Sequence, residues 1–318
     1  MAAFDKRITV FGGSGFIGRY LIRRLASDGW VVRVAVRDPV AAAFLKTCGS
    51  LGQIVPMRCN VCDDERVTTA VQGADAVVNL VGILAEWGRQ RFEAVQAEAP
   101  ARIARAAKAA GVTTFVQISA LGADPDSPAR YARTKAAGEA GVRSAFPAAT
   151  IIRPSLVIGP EDEFFNRFAA MAQLLPGLPL IGGGHTRFQP VYVGDVAEAI
   201  HRAVNDPAAK GKTYELGGPR IYTFRELMEL MLKVLGRHRG LVPVPFVLAE
   251  LQGLVLQLLP NPPLTRDQVK MLRHDSVVSP GALTFADLGL QPQAIEPILP
   301  TYLDIYRAGG RFATRRVA

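Results

Sequence analysis

The chain begins with a strand, a glycine-rich loop and a helix in immediate succession, and this order restricts its fold more than any other feature. Residues Ile8–Phe11 are apolar, residues 12–18 are Gly-Gly-Ser-Gly-Phe-Ile-Gly, and apolar residues at helical spacing follow over Phe16–Ser27. A buried strand that enters a helix through such a loop is typical of the first unit of a parallel α/β sheet. We therefore expect an open sheet covered by helices.

The remainder of the first half continues this alternation of short apolar runs and longer helical patterns. Strands buried on both faces are rich in Val and Ile, as these runs are. The predicted strands are Ile8–Phe11, Val31–Val36, Ile54–Arg58, Ala76–Val81, Phe115–Ser119 and Thr150–Ile152, and the predicted helices include Phe16–Ser27, Val67–Gln72, Phe92–Ala110 and Tyr131–Phe146. The alternation predicts a doubly wound parallel sheet of the Rossmann type.

The second half is less regular, because glycine and proline interrupt it often. Short strands are expected there beside helices near 195–204 and 223–235. We predict a Rossmann domain over residues 1–158 and a smaller C-terminal α/β lobe over residues 159–318, with the chain passing between them more than once.

Composition narrows the classes of protein further. The chain has 318 residues, 49% hydrophobic and 20% charged, which is the balance of an ordinary folded protein. Its three cysteines, Cys48, Cys59 and Cys62, are sparse and odd in number. This argues against a disulfide framework and favours a reducing compartment. Cys59 and Cys62 have no second pair to complete a zinc site, so we predict no bound metal.

One segment, residues 241–264, is rich in apolar residues, and Glu250 is its only charged residue. The 14 residues between Pro245 and Pro260 would span about 21 Å as a helix, whereas the hydrocarbon core of a bilayer is about 30 Å thick. The segment is therefore too short to cross a membrane. A core helix of the small lobe, a helix lying at the membrane interface and a face that docks to a partner all remain open.

The chain is basic, with a formal net charge of +9, and its last residues, 307–318, contain four arginines and no acid. Such a balance suits an anionic ligand, an anionic lipid surface or an acidic partner. No basic helix, zinc spacing or alternation of basic and aromatic residues accompanies the charge, which argues against nucleic acid.

The glycine-rich loop has the spacing of a dinucleotide-binding turn. Gly12 allows the tight turn, Gly15 allows the backbone to approach a pyrophosphate, and Gly18 allows close packing of the helix on the strand. The diphosphate would then lie at the positive N-terminus of the helix. The predicted nucleotide-binding residues of this turn are Gly12, Gly13, Ser14, Gly15, Phe16, Ile17, Gly18 and Arg19.

Arg37 lies 19 residues after Gly18 (37 − 18), where an acidic side chain would select NAD and an arginine suits the 2′-phosphate of NADP. NADP(H) is therefore favoured over NAD(H), and Arg19 could assist. The neighbouring Asp38 weakens this preference, and a solvated arginine at a strand end is the alternative. Asn60 and Val61, after the third strand, are expected near the adenine.

Ser119, Tyr131 and Lys135 form the candidate catalytic set. Ser119 ends the fifth predicted strand, while Tyr131 and Lys135 are four residues apart and hence on one face of the next helix. An ammonium group beside a phenol lowers the pKa of the phenol and lets it act as a general acid or base toward a carbonyl or alcohol. A serine hydroxyl can hold that oxygen in place.

With these motifs the chain resembles the extended and atypical short-chain dehydrogenase/reductase superfamily over nearly its full length. The motifs are GGSGFIG, NLVG at 79–82, SALGA at 119–123, YARTK, IIRPSLVIGP at 151–160, QPVYVGDVAEAI at 189–200 and YELGGPRIYTFREL at 214–227. The resemblance implies that the nucleotide lies along Leu80, Val81 and Gly82, with Pro154 and Leu156 near its nicotinamide. Asn60 departs from the pattern, because the superfamily commonly has an aspartate there.

Within the superfamily the chain is most similar to the NAD(P)H-binding accessory subunits of respiratory complex I, in their alphaproteobacterial form. The similarity rests on FGGSGFIGRY, RYARTKAAGEAGVRSAFP, IIRPSLVIGPEDEFFNRFA, FQPVYVGDVAEAI and LTRDQVKML. It implies a peripheral subunit on the cytoplasmic face of the bacterial inner membrane, or on the matrix side in mitochondria, near the quinone-site junction of the two arms. It also implies a structural NADP(H) held by Tyr131 and Lys135, with other complex I subunits as partners.

Two main functions remain open, beside a third and weaker one, a redox sensor that binds NADP(H) without turnover. The first is this non-catalytic role, in which the apolar segment 241–264 and the arginine tail meet partner subunits or anionic lipid. The second is an active NADP(H)-dependent reductase or epimerase acting on a small carbonyl or sugar-like substrate through Ser119, Tyr131 and Lys135.

Overall fold

A computed structural model describes residues 6–88, 90–259 and 262–310. The chain divides into two compact units, each assembled from three stretches of sequence. Unit 1 comprises residues 1–154, 194–216 and 279–291, and unit 2 comprises residues 155–193, 217–278 and 292–318. The first passage from one unit to the other, after Pro154, falls close to the predicted boundary at 158.

The elements alternate through most of the described chain. The strands are β1 (Arg7–Phe11), β2 (Val31–Val36), β3 (Ile54–Arg58), β4 (Ala76–Asn79), β5 (Thr114–Ile118), β6 (Thr150–Pro154), β7 (Val157–Ile158), β8 (Gly177–Ile181), β9 (Arg187–Phe188), β10 (Val191–Tyr192), β11 (Thr213–Leu216), β12 (Tyr222–Thr223) and β13 (Gly240–Val244). The helices are α1 (Phe16–Ser27), α2 (Asp64–Val71), α3 (Ala99–Ala109), α4 (Arg130–Ala145), α5 (Phe165–Leu174), α6 (Val193–Asn205), α7 (Phe224–Leu235), α8 (Phe246–Leu256), α9 (Arg266–Met271) and α10 (Leu299–Leu303).

Unit 1 contains one parallel sheet, in which the described strands have the order β11-β6-β5-β4-β1-β2-β3. The strand order reverses between β1 and β4, so a crevice forms there at the carboxyl ends of the strands, which is where open α/β sheets bind ligands. The predicted doubly wound parallel sheet is confirmed. The crevice brings the loop after β1 next to the loop after β4.

The predicted elements of unit 1 match the structure closely, and their differences have local causes. Helix α2 begins at Asp64 rather than Val67 because the Asp63 side chain accepts a hydrogen bond from the Arg66 amide and caps the helix. The predicted helix Phe92–Ala110 is interrupted, since Glu93–Glu98 forms a π-helical turn before α3. Hydrophobic periodicity does not distinguish the two helix types.

Unit 2 has its own core of aromatic and aliphatic side chains. Phe164 packs against Phe165, Phe168, Phe188 and Phe224 with ring centroids 5.1–6.2 Å apart. Short strand pairs surround this core: β7 with β10, β8 with β13, and β9 with β12.

The buried carboxylate of Asp162 fixes the start of α5 in unit 2. It accepts hydrogen bonds from the amides of Gly159 and Phe165 and, at 2.5 Å, from the hydroxyl of Tyr302 on α10. Burial raises the pKa of Asp162, and these donors act in the opposite direction. One side chain thus connects α10 to the start of α5.

The apolar segment 241–264 is divided between β13 and α8 rather than forming one helix. Helix α8 contacts α9 through a small residue: a Cβ built on Gly253 would lie 2.8 Å from the backbone nitrogen of Arg266. Five of its large side chains are exposed, namely Val247 (79% exposed), Leu248, Leu251, Leu254 and Val255. Helix α8 thus packs one side on the unit 2 core, through Phe246 and Ala249, and exposes the other. Pro260 and Asn261 lie outside the described residues, as does the predicted arginine tail from residue 311 onward.

Candidate nucleotide-binding site

The loop after β1 has the geometry that close approach of a phosphate requires. Gly12 has a φ of 73°, in the left-handed region. The amide of Gly15 donates to the carbonyl of Gly12 across the turn, at 3.0 Å. A Cβ built on Gly18 would lie 2.3 Å from the carbonyl oxygen of Gly13. Helix α1 thus begins directly against the loop, and this contact requires glycine at position 18.

Gly15 is different, because there is space beside it. A Cβ at this position would meet only the carbonyl oxygen of Gly12, at 3.2 Å. Gly15 precedes α1, and no acidic residue occupies the first turn of that helix. The first amides of α1, which have no partner within the helix, and the positive end of the α1 dipole therefore face the space beside Gly15. An anion site requires this arrangement.

The loop after β4 closes the opposite side of the crevice. The buried Asn79 donates to the side chain of Gln117 at 2.9 Å and accepts from the amide of Val81 at 3.1 Å. These bonds fix Leu80, Val81 and Gly82. A Cβ on Gly12 would lie 3.2 Å from Cγ2 of Val81 and 3.3 Å from the backbone of Leu80, so the two loops are in contact.

The region after β2 contains the residues predicted to determine the preference for NADP(H) over NAD(H). Asp38 uses one carboxylate oxygen, Oδ1, to accept from the amides of Val40 and Ala41, at 2.9 and 3.1 Å. The guanidinium carbon of Arg19 lies 5.3 Å from the ring centroid of Phe44, a cation–π contact. The Asp38 carboxylate, whose presence weakened the assignment to NADP(H), therefore accepts hydrogen bonds within its own turn.

The residues after β3 form a tight turn. Asn60 accepts a hydrogen bond from the amide of Cys62, and Val61 accepts one from Arg102. Burial raises the pKa of the Cys59 thiol to about 11, which disfavours the reactive thiolate form. Among the described residues, no group of three or more His, Cys, Asp or Glu side chains could hold a metal ion.

Ser119, Tyr131 and Lys135 all lie at the carboxyl end of the unit 1 sheet or on the helix beside it. Ser119 directly follows β5, and its amide donates to the Ile152 carbonyl. The Ser119 hydroxyl is buried with no hydrogen-bond partner among the described residues. The ammonium nitrogen of Lys135 lies 5.8 Å from the Tyr131 ring centroid. An unpaired buried hydroxyl at this end of the sheet fits a site that binds a polar ligand.

The pKa values in this set differ from the sequence prediction. Burial raises the pKa of Tyr131 to about 12 and lowers that of Lys135 to about 8. The sequence predicts that the lysine lowers the pKa of the phenol, whereas in the structure burial, which disfavours the phenolate, sets the direction of the shift. Burial favours the neutral form of both groups.

Glu139 is a charged residue near this set that the sequence reasoning missed. It lies one turn after Lys135 and raises that residue's pKa, opposing burial. Arg153 donates to both Glu139 oxygens, at 2.7 and 2.8 Å, and also to Glu215. The only sequence signal was the spacing of four residues between Lys135 and Glu139.

Two predicted residues belong to the turn after β6. Pro154 ends β6, and its carbonyl accepts from the amide of Leu121. Leu156 belongs to unit 2, where it packs against that unit's core. The assignment of both residues to the nicotinamide stays a prediction.

Comparison with known proteins agrees with this geometry. The family model described as "NAD dependent epimerase/dehydratase family" matches residues 8–217, which include the glycine loop and the Ser119, Tyr131 and Lys135 set. The chain belongs to this family.

Curated relatives extend the comparison beyond the site. The chain is 40% identical, over 95% of its length and 78% of the relative's, to the mitochondrial NADH dehydrogenase [ubiquinone] 1 alpha subcomplex subunit 9 of Arabidopsis thaliana. It is 34% identical to the mitochondrial NADH-ubiquinone oxidoreductase 40 kDa subunit of Neurospora crassa, over 96% of this chain and 80% of that one. The predicted relationship to these subunits is confirmed.

Solved structures show the same fold at lower identity. An NADPH-dependent quinone oxidoreductase from Escherichia coli, complexed with NADPH, superposes with a TM-score of 0.72 at 22% identity, covering 92% of this chain and 99% of that one. A dTDP-glucose 4,6-dehydratase from Streptomyces venezuelae with bound NAD gives 0.70 at 20% identity, covering 93% and 95%. The unit 1 sheet is thus part of an NAD(P)-binding fold.

Proposed function

We propose that this chain is an accessory subunit of NADH:ubiquinone oxidoreductase that binds NADP(H) structurally and supports assembly near the junction of the peripheral and membrane arms. The observation that carries the proposal is 40% identity to such a subunit over 95% of the chain. This likeness extends through unit 2, well outside the nucleotide site. Other subunits of that complex are its partners.

A native gel tests this proposal. Membranes of the source organism, gently solubilised, are separated and stained for NADH oxidation, and this chain is located with an antibody. We expect it in a large band that oxidises NADH. Migration as a free species near 34.2 kDa would refute the assignment.

We infer that the bound nucleotide is NADP(H) rather than NAD(H). Arg37 follows β2 at the ribose-reading position, and the competing Asp38 carboxylate accepts hydrogen bonds from Val40 and Ala41. A guanidinium suits a 2′-phosphate, whereas one oxygen of the Asp38 carboxylate already accepts from two amides of its own turn.

Replacing Arg37 by alanine should weaken NADPH binding about 10- to 100-fold, since a hydrogen bond to a charged group contributes about 1.5–3 kcal/mol. The affinity for NADH should change less than about twofold. Calorimetric titration of both nucleotides measures this, with Arg58→Ala, an exposed strand-end arginine, as the matched control. Equal losses for the two nucleotides would contradict the assignment.

Nucleotide affinity should also depend on pH through Lys135. We infer that its ammonium donates to ribose hydroxyls, so binding requires the protonated form, and the pKa of Lys135 is lowered to about 8. We expect the Kd for NADPH to be flat below pH 8 and to rise above it, until the raised pKa of the bound state is passed. Lys135→Met should bind weakly with no such dependence.

Whereas nucleotide affinity should fall above pH 8, the stability of the unliganded protein should rise with pH. The folded pKa of Lys135, about 8, lies below its ordinary value of 10.5, so between these pH values the unfolded chain binds more protons. Lys135 therefore contributes a rise in the free energy of unfolding with pH, which urea titrations of the parent and Lys135→Met resolve. A parent and variant with identical pH profiles would exclude this role.

The intact set of Ser119, Tyr131 and Lys135 supports a second candidate, an active NADP(H)-dependent reductase or epimerase. In that case Tyr131 exchanges a proton with the substrate oxygen, Ser119 holds that oxygen, and the nucleotide supplies the hydride chemistry. Tyr131→Phe separates the two: it should abolish turnover in a reductase and leave the comigration on the native gel unchanged in an accessory subunit.

We further propose that α8 lies at the surface of a membrane containing anionic lipid. None of the described helices is long and apolar enough to span a bilayer, so the association would be peripheral. Val247, Leu251 and Val255 form an exposed stripe on α8, and Glu250 is paired with Arg273 at 2.7 Å. An exposed apolar helix with a neutralised acid and adjacent arginines suits the lipid interface.

The double substitution of Val247 and Leu251 by glutamate should remove binding to vesicles that contain anionic lipid, because apolar surface would be replaced by like charge. Vesicle flotation measures this. Val40→Glu, at an exposed valine of unit 1, is the matched control and should still float. Flotation of the double variant with the parent would contradict the membrane role of α8.

A further inference from the structure

The π-helical turn Glu93–Glu98 contains a buried side chain with no hydrogen-bond partner in the part of the chain that the structure describes. Gln96 is only 1% exposed, and neither its amide nitrogen nor its amide oxygen has a hydrogen-bond partner among the described residues. Buried polar groups are nearly always paired, and an exception calls for an explanation such as a missing ligand. π-helical turns themselves occur frequently at functional sites.

The sequence explains why the turn occurs here. In an α-helix the amide of residue 100 would donate to the carbonyl of Gln96, but residue 100 is proline, which has no N–H and whose ring would clash with that carbonyl. The backbone widens instead, and the amide of Ala99 donates five residues back to Ala94. A Cβ at Gly138 on α4 would lie 2.1 Å from the Gln96 carbonyl oxygen, so glycine is required where α4 passes.

The Gln96 amide lies beside the lysine of the candidate site. A Cβ built on Gly82 would be 3.2 Å from the ammonium nitrogen of Lys135 and 3.9 Å from Oε1 of Gln96. Both groups thus border the small space that the absent side chain of Gly82 leaves open. The unpaired hydroxyl of Ser119 belongs to the same end of the sheet.

We propose that Gln96 is a further nucleotide-binding residue, whose amide forms hydrogen bonds with the ribose on the nicotinamide side. This inference rests on the proposed nucleotide binding. A carboxamide presents both a donor and an acceptor, and ribose hydroxyls can satisfy both. A phosphate, which only accepts, would leave Oε1 unpaired. Arg37, predicted at the 2′-phosphate, and Asn60, predicted near the adenine, follow β2 and β3 rather than β4 and β5.

Gln96→Leu tests the proposal, because it should preserve or raise the stability of the unliganded protein and lower the affinity for NADPH. Leucine removes two unpaired polar atoms, so the unliganded variant should unfold at the parent's temperature or above. Its affinity for NADPH should fall about tenfold, with a correspondingly smaller rise in Tm on binding. Its affinity for 2′,5′-ADP, which lacks the second ribose and the nicotinamide, should stay within about twofold of the parent's.

Gln117→Leu is the matched control. Gln117 is also buried, but its amide pairs with Asn79 and with the Ile118 carbonyl, so this substitution should lower the Tm of the unliganded protein. A Gln96→Leu variant that loses stability in the same way and keeps its NADPH affinity would show that Gln96 is structural. Equal losses for NADPH and 2′,5′-ADP would also overturn the assignment. If the parent itself binds neither NADPH nor NADH, the proposed nucleotide role fails first, and this inference with it.

Discussion

Gly18→Ala is expected to destabilise the protein by about 3 kcal/mol. The added Cβ would lie 2.3 Å from the carbonyl oxygen of Gly13 and 2.5 Å from its Cα, and both are backbone atoms that cannot move away as a side chain can. Relief requires α1 to shift from β1, where Leu21, Ile22 and Leu25 are fully buried. Overpacking of this kind costs about 1–3 kcal/mol or more.

Urea unfolding of the unliganded protein measures this loss. The control is Gly15→Ala in the same loop, whose Cβ would meet one atom at 3.2 Å and which should remain within about 1 kcal/mol of the parent. A Gly18→Ala variant as stable as this control would show that α1 does not pack on the loop as closely as described.

Gly15→Val should have the complementary effect and abolish nucleotide binding while the fold persists. Gly15 has φ −76° and ψ −175°, an extended conformation that a β-branched residue adopts without strain. Its side chain would occupy the space in front of the first amides of α1, where we place the pyrophosphate. The loss of NADPH affinity should be at least about 100-fold.

Thermal unfolding with and without NADPH measures both consequences. Unliganded parent and variant should unfold alike, whereas saturating nucleotide should stabilise only the parent, by about 2.7 kcal/mol at 100 times its Kd. A Gly15→Val variant that is still stabilised by NADPH would place the pyrophosphate elsewhere.

Local patterns predicted most of unit 1. Helix α1 and strands β2 and β3 have the predicted bounds, because each is a periodic run closed by glycine or a polar turn. The π-helical turn was missed, although Pro100 marks its cause, because apolar spacing is similar in both helix types. The exposure of α8 could not be predicted, since it depends on the contact between Gly253 and Arg266, which are distant in sequence.

In the candidate site too, some features could be predicted from the sequence and others could not. The glycine spacing and the positions of Ser119, Tyr131 and Lys135 could be read from sequence. The pKa of Tyr131 could not, because burial sets it and burial depends on the whole fold. Likewise, the sequence alone does not show whether Asp38 would bind the nucleotide ribose or stabilise its own turn. The structure shows that its carboxylate accepts hydrogen bonds from two backbone amides of the turn.

The division of unit 1 among three stretches of sequence has a consequence for its biosynthesis. Strand β11 forms the edge of the sheet beside β6, and Glu215 on β11 accepts from the amide of Ser279 and donates its own amide to Leu283. A ribosome must therefore deliver residues up to 216 before all the described strands of this sheet exist, and residues up to 291 before unit 1 is complete. Unit 1 is therefore completed only after much of unit 2 has been made, and a stop codon anywhere before residue 291 removes part of both units at once.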